Sequence, residues 1–251
     1  MNLLLFLPPE YDARSATAAL PPACPRALHL RKILHVRAGQ PFRAGLLDGP
    51  SGTATPLSDL PPADGTPWRF RCTFDVPLPP PPPIDLLLAM PRPKVLARLL
   101  EDLAALSFDT LWLLHAHKTR AAYSTAHQLE PDALQAALLA GLQQARRTRL
   151  PRVRILPDLD FSALPLSTYA LRLLAHPAPT ASRDLLAAIG RLPLGSRLLL
   201  AIGPEPGWTP SELDRFRAHD FLPFSLGPTP LRTPTAAIAL LSLLHLSLPS
   251  P

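Results

Sequence analysis

Cysteine is scarce in this chain, with two in 251 residues, Cys24 and Cys72. Two thiols cannot frame a disulfide-stapled scaffold, and the plainer reading is a pair of free thiols in a reducing compartment. Long hydrophobic runs are missing as well. The apolar tail Ala236–Leu246 is interrupted by Ser242 and His245 and falls short of the ~20 residues that a membrane span needs. It reads as a buried helix at a subunit interface. Met1–Leu7 is apolar but has no basic leader and runs into Pro8-Pro9-Glu10, so it reads as a first strand rather than a targeting segment. No membrane partner is expected, and the expected location is cytoplasmic. There is no G-x-S-x-G, no G-x-x-x-x-G-K-[ST] and no G-x-G-x-x-G, which removes the usual hydrolase, P-loop and dinucleotide readings. His115-Ala-His117 ends an apolar strand, yet no further His/Asp set follows at strand ends, so no metal is expected.

Hydrophobic residues make up 47% of the chain, enough for one large or two smaller cored domains. The net charge of +6 favours a polyanionic partner. Pro77-Leu-Pro-Pro-Pro-Pro-Pro83 marks the clearest boundary, because such a run prefers extended polyproline II and works as a stiff spacer. Before it, residues 1–76 hold short apolar runs, Leu28–Val36, Phe42–Leu47 and Trp68–Phe74, broken by Pro and Gly. That is the punctuation of a small β-barrel. From Ile84 to the end (84–251), apolar strands alternate with helical segments. The strands are expected at Ile84–Ala89, Thr110–Leu114, Val153–Leu156, Leu171–Ala175, Leu198–Ile202 and Phe221–Leu226. Helices are expected at Pro93–Leu106, from Leu96, Leu99, Leu103 and Leu106, and at Pro131–Arg147, from Leu134, Leu138 and Leu142. This alternation defines an α/β fold on a mainly parallel sheet.

The densest chemistry lies in Leu198–Ala237. An apolar strand runs into Gly203-Pro-Glu-Pro-Gly207, and Thr209-Pro210-Ser211-Glu212 then forms a capping box with proline at the first helical position. A second strand leads into Gly227-Pro-Thr-Pro-Leu-Arg232 and an apolar helix expected from Thr235. Strand-to-loop-to-helix turns built from small residues let backbone amides and carbonyls approach a flat polar ligand, as a nucleotide-like cofactor requires.

These residues resemble the C-terminal signature of the RsmE family of ribosomal RNA methyltransferases, in the SPOUT superfamily. Ile202-Gly-Pro-Glu-Pro-Gly-Trp208, Glu212, Leu226-Gly227, Leu231-Arg232 and Thr235-Ala236 match it in order and spacing. His29-Leu-Arg-Lys-Ile-Leu-His35 with Gly39, Met90-Pro-Arg-Pro-Lys94, Gly141–Arg146 with Leu150-Pro151, and Ala175-His-Pro177 also fall in family order. The resemblance implies a SPOUT-type α/β domain (84–251) with a C-terminal trefoil knot, after a PUA-like β-barrel (1–76) and the proline linker (77–83). It further implies a homodimer paired through the C-terminal domain, acting on N3 of a uridine in 16S rRNA of the small ribosomal subunit. The implied cofactor, S-adenosyl-L-methionine, would be held by Ala175, His176 and Pro177, by Ile202, Gly203, Pro204, Glu205 and Gly207, and by Leu226, Gly227, Leu231 and Thr235. Methyl transfer from a sulfonium needs alignment above all. A guanidinium would stabilise charge growing on the uracil oxygens, and Arg232 is the candidate, with loop anchoring as its other reading.

Four positions depart from the family pattern. Pro206 stands for a glycine and removes a backbone N–H. Thr229 stands for a loop arginine, Pro234 for a glutamate and His35 for an arginine. Pro234 suits a helix start if Thr233 is the cap. Arg146, Arg147, Arg149, Arg152 and Arg154 crowd a helix end, where positive charge is favourable in any case. Five in nine residues exceeds capping, and phosphate contact is the reading preferred. Arg146 and Arg149 head the candidate RNA-binding set, with Arg31, Lys32, Lys94, Lys118 and Arg120. Two functions therefore stand: an RNA methyltransferase, and a non-catalytic RNA-binding relative that keeps the fold.

Overall fold

Parallel strands buried on both faces read as near-continuous apolar runs, and Ile84–Ala89, interrupted by Asp85, and Thr110–Leu114 follow that pattern. The computed structural model of the chain describes residues 2–59, 65–177 and 182–249. Its contacts divide the chain into two units. One holds the chain up to Pro80 together with Leu142–Leu150; the other holds Pro81–Gly141 and the chain from Pro151 onward.

The first unit is a six-stranded mixed sheet. Its strands are β1 (Leu4–Phe6), β2 (Tyr11–Asp12), β3 (Thr17–Leu20), β4 (Phe42–Leu46), β5 (Ser51–Pro56) and β6 (Trp68–Val76), in the order β1-β4-β5-β6-β3-β2. Only β1–β4 is a parallel pair among these ladders, and the pairing order is open, with β1 and β2 at its edges. Period-two alternation is clean in β6, where Trp68, Phe70 and Cys72 are buried between exposed Arg69, Arg71 and Thr73. They pack with Leu4, Phe6, Leu20 and Leu30.

Leu28–Val36, expected as a strand-like run, falls mostly in helix α1 (Pro25–Lys32). Pro25 occupies the first helical position, and Cys24 Sγ accepts from Ala27 N–H at 3.4 Å. Ala27 and Leu30 then fall on one buried face. Cys24 and Cys72 are both free, and burial pushes the Cys72 thiol up to about 11.

The second unit is built on strands β7 (Ile84–Ala89), β8 (Thr110–Leu114), β9 (Arg152–Leu156), β10 (Tyr169–Ala175), β11 (Arg197–Ile202) and β12 (Phe221–Phe224). Between and after them run helices α2 (Pro93–Leu106), α3 (Pro131–Ala145), α4 (Arg183–Ile189), α5 (Pro210–Ala218) and α6 (Thr233–Ser247). The six strands are all parallel, in the order β12-β10-β11-β7-β8-β9. On one face Leu87, Trp112, Leu114 and Leu199 meet Phe161, Trp208, Phe216 and Phe221. Helix α6 packs against α2, α4 and β11.

Helix α3 ends at Ala145 rather than Arg147. Arg146 takes a left-handed φ of 59°, and Arg147 N–H returns to Leu142 O at 2.9 Å, closing the last turn. Helix α6 begins at Thr233, two residues before the expected start, and its N-cap is Arg232 rather than Thr233. Pro234 therefore sits within the first turn, where its missing N–H costs nothing.

At the strands' N-terminal ends lies a buried ionic cluster. Asp85 accepts from Thr110 N–H (2.9 Å), Tyr169 OH (2.6 Å) and Arg197 (2.8 Å). Asp109 accepts from Arg197 and from Arg152, both at 2.7 Å. Burial first, and Asp85 second, push the Tyr169 phenol far above its ordinary value. This cluster leaves the opposite edge of the sheet for the site.

Candidate active site

Ala175, Ile202 and Phe224 close β10, β11 and β12 in register with one another. Three loops leave the sheet side by side at its carboxyl edge, where open parallel sheets bind ligands. Together with the start of α6 they wall a cavity of about 400 Å3.

Ala175, His176 and Pro177 line it from β10. From β11 come Ile202, Gly203, Pro204, Glu205, Pro206, Gly207 and Trp208. The third side holds Phe224, Ser225, Leu226, Gly227, Thr229, Pro230 and Leu231, followed by Thr233, Ala236 and Leu240 of α6. Eleven of the residues expected to hold a cofactor are thus brought together. Thr235 is not on this wall; it is exposed on the first turn of α6, and Thr233 faces the site in its place. Thr233, Ala236 and Leu240 follow the i, i+3, i+7 spacing of one helix face, a signal the sequence carried once the helix start was known.

The Gly203–Trp208 loop is held at several points. Gly207 N–H closes a turn onto Pro204 O at 2.8 Å, and Thr233 Oγ1 donates to Gly203 O at 3.2 Å. Arg92 Nε pairs with Glu205 Oε2 at 2.8 Å. Lys118 Nζ reaches Pro206 O at 3.2 Å and Trp208 O at 3.3 Å. Glu212 closes the capping box with Thr209 and also accepts from His117 N–H at 2.9 Å. Burial opposes its charged form, but donation from Thr209 and His117 outweighs that, and the carboxyl is held below the ordinary glutamate value.

Gly203 lies against an indole. A Cβ placed there would come within 2.9 Å of Trp208 Nε1, so the absence of a side chain at 203 makes room for Trp208. That Nε1 is buried and has no hydrogen-bond partner among the described residues. A buried donor on the cavity wall and its backbone-rich, largely apolar surroundings fit the flat, neutral part of a ligand that carries acceptor atoms. The ionisable side chains on the wall are Glu205 and His176.

Arg232 is exposed at the N-cap of α6, between wall residues Leu231 and Thr233, and its guanidinium makes no ion pair or hydrogen bond among the described residues. The cations expected to meet RNA divide into two kinds. Arg31, Lys32, Lys94, Arg120 and Arg146 are exposed. Lys118 is tethered to the loop, and Arg149 donates twice to Pro79 O, at 3.0 and 2.6 Å. Of their neighbours, Arg152 pairs with Asp109, and Arg154 lies over the Trp112 ring at 5.6 Å. No group of three or more His, Cys, Asp or Glu able to hold a metal occurs among the described residues, and no helix among them is long and apolar enough to cross a membrane.

An all-parallel α/β unit with a loop-walled ligand cavity at its carboxyl edge is the class that fold and site define. The RNA methyltransferase domain family matches residues 79–245, and the chain belongs to that family. The ribosomal RNA small subunit methyltransferase E of Treponema pallidum (strain Nichols) is 28% identical over 251 residues, covering 95% of this chain and 88% of that protein. The enzyme of the same name from Bacillus subtilis (strain 168) is 45% identical over 56 residues, 22% of each chain. Among solved structures, the Neisseria gonorrhoeae ribosomal RNA small subunit methyltransferase E bound to S-adenosyl methionine superposes with a TM-score of 0.72 at 17% identity, over 98% of both chains. A Legionella pneumophila protein in complex with S-adenosylmethionine gives 0.72 at 22% identity, again over 98% of both. These two structures share the fold.

Proposed function

We propose that this chain is an S-adenosylmethionine-dependent methyltransferase acting on N3 of a uridine in small-subunit ribosomal RNA. The observation that carries the reading is the cavity at the ends of β10, β11 and β12, within the family-matched region. Its volume suits a small cofactor. Ile202, Leu226, Leu231 and Leu240 offer apolar surface to a purine, and the loops offer backbone polar groups at close range. When bound, the sulfonium supplies an activated methyl group with its leaving group already attached.

The protein's own contribution is alignment and charge. Loops tethered by Lys118, Thr233 and Arg92 keep the wall in one geometry, which lowers the entropic cost of a productive encounter. The uracil N3–H is weakly acidic and gives its proton to solvent around the time of attack, as the N3–methyl bond forms and the sulfur–methyl bond would break to leave S-adenosylhomocysteine. The Arg232 guanidinium at the rim, unpaired among the described residues, stabilises the charge that develops on the uracil oxygens. Exposed cations of each unit, Arg31 and Lys32 in one and Lys94 and Arg120 in the other, meet phosphates.

The same reading includes a trefoil knot in the second unit, a PUA-like role for the first, a homodimer paired through the C-terminal domain, and a cytoplasmic location. One observation favours the non-catalytic alternative: Thr229 stands on the wall where the family signature has an arginine. The test is transfer of labelled methyl from S-adenosylmethionine to small ribosomal subunits, read as a block to reverse transcription at one uridine. A methyl at N3 removes a Watson–Crick donor, so a single new stop is expected. Cofactor and RNA binding with no transferred label would establish the non-catalytic reading.

A further inference from the structure

Trp208 is 6% exposed, and its indole N–H is unpartnered among the described residues. A buried donor without an acceptor is destabilising, so one on a cavity wall points to an acceptor in the ligand. The ring is held in place. Phe216 packs against it with centroids 4.8 Å apart at 61°, the missing Cβ of Gly203 admits its pyrrole edge, and Lys118 fixes its backbone carbonyl. The donor is therefore preorganised beside Gly203.

Two residues earlier the loop carries Pro206, also on the wall, where the signature has a glycine. Proline has no N–H, so the loop has one backbone donor fewer. We infer that the Trp208 indole N–H hydrogen-bonds the nucleoside part of the cofactor and takes over the donor role that Pro206 removed. The nucleoside is assigned because the amino-acid end of the cofactor is doubly charged and needs charged or hydrated partners. Glu205, with Arg92, supplies those at the rim. A neutral donor buried beside Ile202 and Phe216 suits a ring nitrogen or a ribose hydroxyl. This assignment rests on the methyltransferase reading of the cavity.

The experiment is calorimetric titration of the full chain with S-adenosylhomocysteine and, separately, with 5′-methylthioadenosine, which lacks the amino-acid group. Parent, Trp208→Phe, Pro206→Gly and the double variant are compared. Trp208→Phe keeps an aromatic ring and removes the donor; it is expected to weaken both ligands about tenfold. In the Pro206→Gly background the loss shrinks to under about threefold, because the glycine N–H restores a donor. Unchanged affinity in Trp208→Phe overturns the hydrogen bond. A loss with S-adenosylhomocysteine alone overturns the nucleoside assignment, and an equal loss in both backgrounds overturns the exchange with Pro206. Failure of the parent to bind either ligand overturns the cofactor reading itself, a result separable from all of these.

Should Trp208→Phe lose its cooperative unfolding transition, the parent decides the matter by NMR. Its three indole N–H resonances are assigned through Trp68→Phe and Trp112→Phe. The Trp208 signal is expected to move downfield and exchange more slowly with 5′-methylthioadenosine bound. An unmoved signal with unchanged exchange overturns the proposal.

Discussion

Lys118 Nζ bridges two carbonyls of one loop, Pro206 O at 3.2 Å and Trp208 O at 3.3 Å. This exposed lysine, which the sequence offers for RNA, donates to the protein's own backbone. Replacing it with methionine keeps the aliphatic stem and removes both donations, each worth about 1 kcal/mol net. Lys118→Met is expected to raise the dissociation constant for S-adenosylhomocysteine by about three- to tenfold. The slope of RNA affinity against salt should stay at the parental value, because no phosphate contact is lost. Calorimetry and a salt titration measure the two effects separately.

Arg197 stands between two carboxylates. It donates to Asp85, which is 3% exposed, and to Asp109, which is 8% exposed. Removing the guanidinium would leave buried Asp85 without a cationic partner and Asp109 with Arg152 alone. Breaking a buried pair costs about 3–5 kcal/mol. Arg197 is itself partly exposed, so Arg197→Met is expected near the lower figure, read from urea unfolding. Asp85→Asn in that background should recover part of the loss by removing one of the two charges.

Much of the second unit was legible in residue order alone. Strands β7 and β8 and helix α2 have the bounds that apolar runs and the Leu96–Leu106 periodicity predict, because local pattern and burial agree there. Leu28–Val36 misled because its apolar residues suggest a strand, while the deciding signals, Pro25 and the Cys24 cap, lie before it. Helix α6 starts earlier than its sequence suggests because Thr233 resembles a cap, whereas its hydroxyl serves Gly203 O, 30 residues away. Lys118 and Arg149 likewise meet partners 88 and 70 positions off. Contacts at such separation leave no local trace. The three loops were readable as a set because their motifs occur in order, and nothing in periodicity alone would have joined them.

Glu212 gives the fold a pH dependence with a definite sign. Its folded pKa lies below the ordinary value of 4.5. The stability it contributes is therefore fully present above about pH 4.5 and is lost as pH falls through the lower folded value. Glu212→Gln keeps the shape of the capping box but not its charge, and should cost about 1–2 kcal/mol at neutral pH. As pH falls from neutral through and below about 4.5, the gap between parent and variant should narrow. Thermal unfolding across that range checks this, and a gap that widened on acidification would contradict the assignment.

The arginines after α3 have separable roles. Arg146 is exposed, Arg149 holds Pro79 O, Arg152 pairs with Asp109 and Arg154 stacks on Trp112. Arg146→Glu is expected to weaken RNA binding and flatten its salt dependence by about one phosphate contact or more. Arg152→Ala should leave that slope unchanged and lower stability by under about 1 kcal/mol, since the arginine is largely exposed.

Arg232 carries the chemical proposal. It caps α6 through its backbone only, with no side-chain cap bond, so Arg232→Ala should leave the melting temperature and the affinity for S-adenosylhomocysteine at parental values. If its guanidinium stabilises charge on the uracil oxygens, turnover should fall by about 10²–10³, the usual loss for one such donor. The pH profile separates this from simple misplacement. Without the guanidinium, the uracil N3–H becomes a weaker acid in the complex, so the rate of the variant should rise with pH over a range where the parent is already level. Arg232→Lys restores the charge but not the forked donors and should recover only part of the rate. Equal loss at every pH would assign Arg232 to positioning the loop instead, and unchanged turnover would remove it from the reaction.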